Sequence, residues 1–287
     1  MKNQAKNLTG AYKTIALVTP YWRPGEDYVK QIINALREKV QNGDIVTVSE
    51  KAISTASANF VDESTINAGS LAKFLAKYWM RFIWAYVLSK LCHLRKKTIR
   101  RFKTYPIEEG SKHKQLALER NGFLQALLHG SEGGIDGSNM PYSLVSLPLR
   151  DAPKIADQLQ IIIESELRRR ATVMIIDTDK TYTFRNFHFT PRPQPISGIQ
   201  SHGGFFAYFF GRLLRLKRRA TPIAISGAKM SVEEALEVSE TANKVRGFGA
   251  GRNVWDMADK LRVSVTGVTW EMLDRIEHKP IVILRRK

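Results

Sequence analysis

Short apolar runs and periodic apolar positions divide the chain into strands and helices. The run at 14–18 predicts a first strand, and the run at 45–48 predicts a second. Between them, apolar residues three and four positions apart predict a helix whose apolar face consists of Val29, Ile32, Ile33, Leu36 and Val40. A polar stretch rich in small residues, 49–60, follows the second strand.

The second half of the chain carries a clearer pattern. The continuous apolar run at 171–176 predicts a buried strand that ends at Asp177. Ser231 and Glu234 form a capping box, which predicts the start of a helix. The remaining predictions are a helix marked by Ile155, Leu159, Ile162 and Ile163, a strand at 222–225, helical pieces around Trp255 and Trp270, and a closing strand at 281–284. Because strands and helices intermix without a regular βαβ rhythm, the pattern favours an α+β fold.

Residues 70–103 are predicted to form a helical arm. One side carries Leu71, Phe74, Leu75, Tyr78 and Phe82, and another carries Lys73, Lys77 and Arg81. The aromatic side is typical of a helix packed on the core or on a second subunit, and we favour this interpretation over an interfacial membrane anchor. The aromatic and basic segment 202–219 is interpreted in the same way, as a packed helix or a subunit contact.

Composition excludes several classes of protein. Hydrophobic residues make up 43% of the 287 residues and charged residues 25%, which is ordinary for a chain that buries a core. Cys92 is the only cysteine, so an internal disulfide and a cysteine-rich zinc site are both excluded. The N-terminal apolar stretch is too short for a signal peptide, and no segment is long and apolar enough to predict a membrane span. We therefore expect a cytoplasmic protein.

The net charge of +18 is unevenly distributed along the chain. Residues 64–107 contain ten Lys or Arg residues and no acidic residue, and a second basic cluster lies at 212–219. Such a distribution favours an anionic partner, for example a nucleotide, a polycarboxylate, a nucleic acid or an acidic lipid surface. Because the cations are bunched without a known nucleic-acid fold motif, the arm is expected to bind anions weakly and without sequence preference.

Two aspartates are candidate metal ligands. Asp136 lies in the segment GGIDGSN, where glycines allow a tight turn, and Asp177 ends the predicted buried strand with Thr178 beside it. Carboxylates at such positions suit a hard divalent ion that carries phosphates. Each motif alone is more often a simple turn residue, so neither is specific by itself.

Several segments in order resemble the coenzyme F420-0:gamma-glutamyl ligase family. They are GDIVTVSEKAIS, GGIDGSNMP, SLPLRDAPKIADQLQ, VMIIDTDKTYTFR and PISG. The resemblance covers 14–63 and 122–287, and it implies an α+β fold with mixed, largely antiparallel sheets and packed helices. We therefore expect one ligase-like domain over 1–287, into which the basic and aromatic arm, about 64–121, is inserted.

The resemblance also implies a chemistry and a set of site residues. It implies GTP-dependent formation of a gamma-glutamyl amide bond through an acyl phosphate, with two Mn²⁺ or Mg²⁺ ions and K⁺ as a further candidate ion. Asp136, Asp177 and Thr178 would be metal ligands, and no catalytic residue is expected beyond the metal ligands. The expected nucleotide contacts are Thr19, Pro20, Tyr21, Trp22, Lys51, Asn139, Gly247, Gly249 and Gly251.

The chain also departs from the family pattern at several positions. A second lysine of the pattern is replaced by the segment 55–58, Asp179 stands where asparagine is usual, and the C-terminal loop has Phe248 without an obvious acidic ligand. Three hypotheses follow: a ligase acting on the F420 precursor, the same ligase chemistry on a folate or pterin, and a non-catalytic member that binds anions or nucleic acid. The expected partners of the ligase are GTP, L-glutamate and an anionic small-molecule acceptor. The resemblance further implies a homodimer, and aromatic residues of 74–86 or 205–210 are expected at its interface, because these stripes are too apolar to face water as contiguous patches.

Overall fold

A mixed β-sheet lies at the centre of the protein. The computed structural model describes residues 11–287, so residues 1–10 of the predicted domain 1–287 lie outside the described part. Within it, one sheet has the order β1-β8-β2-β5-β6, and β7 also pairs with β5. Its strands are β1 (Tyr12–Thr19), β2 (Ile45–Ser49), β5 (Thr172–Phe184), β6 (Phe187–Phe189), β7 (Lys217–Ser226) and β8 (His278–Arg286). The pair β2–β5 is parallel and the other pairs are antiparallel, which confirms the α+β prediction.

Helices cover both faces of this sheet, which explains the continuous apolar runs of its inner strands. The helices α1 (Tyr28–Leu36) and α8 (Ala152–Leu167) pack on one face, where they share a core with β2 and β5. The helix α10 (Val232–Arg246) packs on the other face. It begins at the predicted capping box, because the Ser231 hydroxyl accepts a hydrogen bond from the Glu234 amide at 3.2 Å.

Three elements differ from the pattern-based predictions. The polar stretch 49–60 contains a helix, α2 (Glu50–Ala56), which follows β2 directly. The strand predicted to end at Asp177 instead continues to Phe184, and its register with β7 shifts between Asp177 and Lys180. The basic end of 202–219 is the first part of β7, so the helix there, α9 (Gly204–Leu213), is shorter than the segment.

The predicted arm is helical and is the larger part of a second core. Its elements are α3 (Ser70–Phe74), a π-helical segment (Leu75–Leu88), α4 (Ser89–Leu91), α5 (Lys96–Lys103) and α6 (Ile107–Arg120), and α7 (Phe123–Ala126) follows the arm. Met80, Trp84 and Phe102 are fully buried there and pack with Phe205 of α9. Of the two alternatives predicted for the aromatic side, packing on the core is wrong, because Phe74, Tyr78 and Phe82 are about half exposed, and packing on a second subunit stays a prediction.

Smaller elements complete the chain. β3 (Phe60–Asp62) pairs with β4 (Leu144–Ser146), and the C-terminal part contains α11 (Val254–Leu261) and α12 (Trp270–Asp274). Short 3₁₀ turns lie at Glu63–Thr65 and Val265–Gly267. Among residues 11–287, no helix is long and apolar enough to cross a membrane.

Candidate functional site

A cavity of about 870 Å³ lies where the sheet, the arm and the C-terminal helices meet. Most of the predicted site residues line it, namely Tyr21, Trp22, Lys51, Asp136, Asn139, Asp177, Thr178, Gly247, Gly249 and Gly251. Thr19 and Pro20 are not part of its lining. They contact His278 instead, whose Nδ1 lies 3.1 Å from the Thr19 hydroxyl and 2.9 Å from the Pro20 carbonyl oxygen.

The parallel pairing of β2 and β5 determines where Asp177 lies. Ser49 at the end of β2 pairs with Ile176, so the first residues of α2 lie beside Asp177 at the same edge of the sheet. The register shift opposite β7 leaves Thr178 and Asp179 outside the regular pairing. Such a bulge changes the direction of side chains, and here Asp177, Thr178 and Asp179 all line the cavity.

Asp136 reaches the cavity from a different segment. Its backbone forms an isolated antiparallel bridge with Ser146, through two hydrogen bonds of 3.2 and 3.1 Å. Its carboxylate accepts a hydrogen bond from the Ser138 amide at 2.7 Å and forms an ion pair with Lys51. The Lys51 ammonium also donates to the Ser138 hydroxyl at 2.8 Å. These contacts hold Lys51, a predicted nucleotide contact, beside Asp136, a predicted metal ligand, in the wall of the cavity.

Arg192 connects Asp177 to the core. This guanidinium is fully buried, donates from Nε to Asp177 Oδ2 at 2.9 Å, and donates from Nη2 to Glu50 Oε1 at 2.5 Å. Burial opposes the charge, but the two neighbouring carboxylates dominate and raise the pKa of Arg192. Arg192 therefore stays charged and holds Asp177 in place.

Asn139 holds the glycine-rich loop. Its amide oxygen accepts from the Ala250 N–H at 2.6 Å, and its Nδ2 donates to the carbonyls of Phe248 and Gly251 at 3.3 and 3.1 Å. A Cβ on Gly249 would lie 2.5 Å from the Asn139 oxygen, so only glycine allows this close approach. Because these contacts engage the whole amide, Asn139 positions the loop that faces the cavity.

Aromatic residues form the wall near the first strand. Tyr21 lies 4.7 Å from the ring of His278 and donates a hydrogen bond to the Asn139 carbonyl. Trp22 is fully buried and belongs to the core under the sheet. Burial lowers the pKa of His278 to about 4, so this ring is neutral at physiological pH.

Arg246, at the end of α10, adds a cation to the cavity. Its Nη2 donates to Asn243 at 3.2 Å, while Nη1 is buried and has no hydrogen-bond partner among the described residues. Burial lowers the pKa of Arg246, and the nearby charge of Asp177 opposes this effect. A buried guanidinium nitrogen with an unused donor is suited to bind an anion in the cavity.

The arm supplies the opposite wall through Tyr105, Pro106 and α6. His113 contacts Glu63, and its Nε2 lies 2.6 Å from a carboxylate oxygen of Glu132. Lys114 is also buried and donates to Glu132 at 2.6 Å. Although burial opposes both ionisations, the pKa of His113 is raised well above its ordinary value and the pKa of Glu132 is lowered to about 2. The network is therefore charged, and it fixes α6 against the loop that leads to Asp136.

The cavity offers carboxylate oxygens, which are ligands that a hard divalent ion prefers. Among the described residues, no group of three or more His, Cys, Asp or Glu side chains is arranged to hold a metal ion alone. Mg²⁺ is, however, commonly bound by one or two carboxylates together with substrate phosphates and water. Asp136 and Asp177 fit that kind of site, in which each carboxylate is shared with a cation of the protein, Lys51 or Arg192.

Some residues of the site carry no signal in the sequence. Arg192 lies in a proline-rich loop and Arg246 at a helix end, and neither belongs to a motif with a recognisable spacing. The role of Arg192 depends on contacts with Glu50 and Asp177, and the role of Arg246 depends on its position at the cavity. His113 and Glu132 are similar, since only the folded arm brings them to Glu63.

Comparison with known proteins gives two matches. A family model described as F420-0:Gamma-glutamyl ligase matches residues 16–247, which include most of the cavity lining. An uncharacterized protein of Methanocaldococcus jannaschii is 34% identical over 281 residues, and the alignment covers 94% of each chain. The similarity thus extends through the arm and the C-terminal helices.

Proposed function

Because the chain belongs to the F420-0:gamma-glutamyl ligase family, we propose that it is a GTP- and divalent-metal-dependent ligase that forms a gamma-glutamyl amide bond through an acyl phosphate. Its substrates would be GTP, L-glutamate and an anionic acceptor that resembles coenzyme F420-0. The family supports the ligase activity itself. The nucleotide, the metal ions and the intermediate are the parts proposed from the site.

One observation carries this proposal. Asp136 and Asp177 come from segments 41 positions apart in the sequence, yet both line one cavity together with Lys51 and Arg246. Paired carboxylates next to cations suit a phosphate-bearing ligand with its divalent ion. A pair of turn aspartates without a function would not be expected to converge on the same cavity.

The proposed reaction has two steps. In the first, a carboxylate oxygen of the acceptor forms a bond to the γ-phosphorus of GTP and GDP leaves, which gives an acyl phosphate. In the second, the amine of L-glutamate forms the amide bond at the acyl carbon, inorganic phosphate leaves, and the amine nitrogen loses a proton. Both steps bring anions together, so the site must neutralise negative charge.

The residues of the cavity have separate tasks in this proposal. Asp136 and Asp177, with Thr178 beside them, would hold Mn²⁺ or Mg²⁺, which neutralises phosphate charge when bound. Arg246 would donate to a phosphate oxygen through its free Nη1, and Lys51 would add a second positive charge beside it. Asn139 keeps the loop 247–251 against the cavity, where backbone amides would face the nucleotide.

The identity of the acceptor is a separate part of the proposal. Tyr105, Glu109 and His113 of the arm line the same cavity as the aspartates. Because these side chains line the cavity, the arm is a candidate for contacts that select the acceptor. A folate or pterin is the second candidate, because a folate carries a glutamate whose carboxylate would undergo the same amide-forming chemistry.

The test is a reaction with defined components, analysed by mass spectrometry. The protein is incubated with GTP or ATP, Mn²⁺ or Mg²⁺, K⁺, L-glutamate and either F420-0 or a folate. The expected product is heavier than the acceptor by one or more glutamyl residues and requires every component except K⁺. An acceptor labelled with ¹⁸O in its carboxylate should transfer one label to the released phosphate. Failure to bind or hydrolyse any nucleotide with every acceptor would favour the non-catalytic, anion-binding alternative.

A further inference from the structure

An exposed ladder of aromatic rings runs along the arm. Phe74, Tyr78, Phe82 and Tyr86 follow each other four positions apart, with ring centroids separated by 5.4, 6.2 and 6.5 Å. Each of these side chains is about half exposed. Further exposed apolar residues on the same helical stretch are Leu71, Ile83 and Val87. This apolar surface is continuous, and such surfaces usually mark an interaction site.

The helical pitch explains why the ladder points outward as a unit. The buried side of the same stretch repeats Ala72, Ala76, Met80, Trp84 and Leu88, also four positions apart. Most of this stretch is π-helical and so has more residues per turn than an α-helix. Side chains four positions apart therefore lie more nearly above one another along the helix axis. One side of the stretch is therefore fixed in the core, and the ladder lies on the opposite side.

Cations flank the ladder and pack on its rings. The Lys77 ammonium lies 5.1 Å from the ring centre of Tyr78, and the Lys103 ammonium lies 4.9 Å from that of Tyr86. The surrounding segment, 64–107, contains ten Lys or Arg residues and no acidic residue. The partner of this surface must therefore accept apolar rings and several positive charges together.

Two other partners fit these observations less well. In a complex with single-stranded nucleic acid, bases stack on free ring faces, but here Tyr78, Phe82 and Tyr86 stack on each other and on the two lysines. A second copy of this face would bring basic segments together, and neither segment supplies a carboxylate. A partner with an anionic surface and an apolar interior just below it would accept both the rings and the positive charges.

We propose that the arm docks the protein on the surface of a bilayer that contains anionic lipids. The rings and the adjacent Leu71 and Val87 enter the boundary between headgroups and acyl chains, where amphipathic aromatic residues are favoured. Lys77 and Lys103 extend along the ring faces toward the lipid phosphates. Tyr105 and α6, which line the cavity, belong to the same arm, so the docked segment and the site are parts of one unit.

The test is flotation of the full-length protein with vesicles of two compositions, phosphatidylcholine alone and phosphatidylcholine mixed with phosphatidylglycerol. The variant Phe74→Ser/Phe82→Ser removes two rings of the ladder that are each 54% exposed. Its matched control is Phe184→Ser/Phe187→Ser, since those rings are 53% and 55% exposed on the β5–β6 hairpin. A second pair of variants compares Lys77→Gln/Lys103→Gln with Lys30→Gln/Lys229→Gln, all four of which are exposed lysines.

We expect the wild type to float with the anionic vesicles and less with the neutral ones. The ladder variant should lose at least about tenfold in partitioning, and the arm lysine variant about tenfold, because each ring and each lysine contributes separately. Both controls should stay within about twofold of the wild type, and all variants should keep the wild-type thermal midpoint.

Four results would overturn the proposal. Equal losses in arm and control lysine variants would show that only the overall charge attracts the protein. Unchanged flotation of the ladder variant would exclude a role of the rings. A ladder variant that turns a dimer into a monomer in sedimentation while it still floats would assign the face to a second copy. A loss of binding to an RNA oligonucleotide, but not to vesicles, would assign it to nucleic acid.

Discussion

Asp136 and Asp177 have different surroundings, so the same change should affect them differently. The Asp136 side chain is 20% exposed and pairs with Lys51, which is also partly exposed. Asp177 is 12% exposed and pairs with Arg192, which is fully buried. Breaking a pair that contains a buried charge costs more stability than breaking a pair near solvent.

We therefore predict that Asp136→Asn and Asp177→Asn both weaken Mn²⁺-dependent GTP binding, while only the second lowers stability clearly. The expected loss for Asp177→Asn is about 2 kcal/mol in the free energy of unfolding, because Arg192 keeps Glu50 as its remaining carboxylate partner. Calorimetric titration with GTP and thermal unfolding without metal measure the two effects. The control is Asp157→Asn, an exposed position on α8.

The opposite result is also well defined. If both variants lose stability and bind GTP with wild-type affinity, the two aspartates are structural turn residues. The metal site and the nucleotide contacts proposed for this cavity would then be wrong, although the family assignment would stand.

Arg246 allows a test in which stability and binding move independently. Its guanidinium is buried with an unused Nη1, so burial destabilises the charge in the free protein. We predict that Arg246→Met weakens GTP binding by about tenfold or more, since a charge-assisted contact to phosphate is lost. The same variant should unfold at an equal or higher temperature. Arg37→Met, at an exposed position after α1, is the control for the loss of one positive charge.

A fall in stability with unchanged GTP affinity would mean that Arg246 supports the end of α10 and does not meet the ligand.

The two aspartates could be proposed from the sequence because each lies in a segment with a recognisable order of residues. Arg192 and Arg246 could not, because only the folded sheet brings Arg192 to Glu50 and Asp177, and only the packing of α10 places Arg246 at the cavity.

At the scale of elements, apolar patterns predicted the strands that are buried on both faces. β2 and β8 contain the short, mainly apolar runs predicted at 45–48 and 281–284, and β8 extends beyond its run at both ends. The helix α2 was missed because its buried residues include Glu50, Ser54 and Thr55. These polar groups are satisfied by distant backbone and side chains, for example the Leu147 carbonyl and the Leu149 amide, which no local pattern reveals.

The continuation of β5 beyond Asp177 was missed for a related reason. The residues after Ile176 are polar, and polar residues after a buried strand usually indicate a turn. Here the bulge opposite β7 accommodates Thr178 and Asp179, and the Thr221 hydroxyl donates to the Asp179 carbonyl at 2.7 Å. Tertiary pairing with a later strand therefore overrides the local signal.

The helix α6 should make stability depend on pH through its charged network. The pKa of His113 is raised well above its ordinary value of 6.5, so its contribution is complete below pH 6.5 and is lost as pH rises toward the folded-state pKa. The pKa of Glu132 is lowered from 4.5 to about 2, so its contribution is complete above pH 4.5 and is lost as pH falls toward 2. Both contributions are complete between about pH 4.5 and 6.5.

We predict that His113→Gln lowers the free energy of unfolding by about 2 kcal/mol or more in that window, because Glu63 and Glu132 lose a buried cation. The difference from the wild type should shrink as pH rises above 6.5. Urea unfolding at a series of pH values measures it, and His202→Gln at an exposed position is the control. A difference that is constant with pH would show that His113 is neutral in the folded protein.

At the scale of the whole molecule, the fold class followed from the mixture of elements, while the arrangement of the two cores did not. The arm and α9 form one core although 202–213 follows the arm by about a hundred residues in the sequence. Trp84 lies 6.0 Å from Phe205 and 5.8 Å from Tyr208, which shows how the two aromatic segments meet. The sequence showed that both segments are rich in aromatic residues, but no pattern in it indicated that they pack against each other.

That arrangement leaves a second apolar stripe, along α9, where we expect a homodimer contact. Phe206, Phe210 and Leu214 are four positions apart and about half exposed. The stripe adjoins the basic cluster 212–219, but Arg212 donates to the carbonyls of Cys92 and His93, and Lys217 and Arg219 pair with Glu233 and Glu237. This face is therefore better suited to a second copy than the basic ladder of the arm.

We predict that the wild type is a dimer at micromolar concentration and that Phe206→Ser/Phe210→Ser is a monomer. The two rings contribute apolar area that a polar side chain cannot replace at a packed contact. Sedimentation velocity over a range of concentrations measures the state, with Phe184→Ser/Phe187→Ser as the control that removes equally exposed rings from another surface. A dimer that survives in the α9 variant but dissociates in Phe74→Ser/Phe82→Ser would place the contact on the arm, and a wild-type monomer would contradict the homodimer altogether.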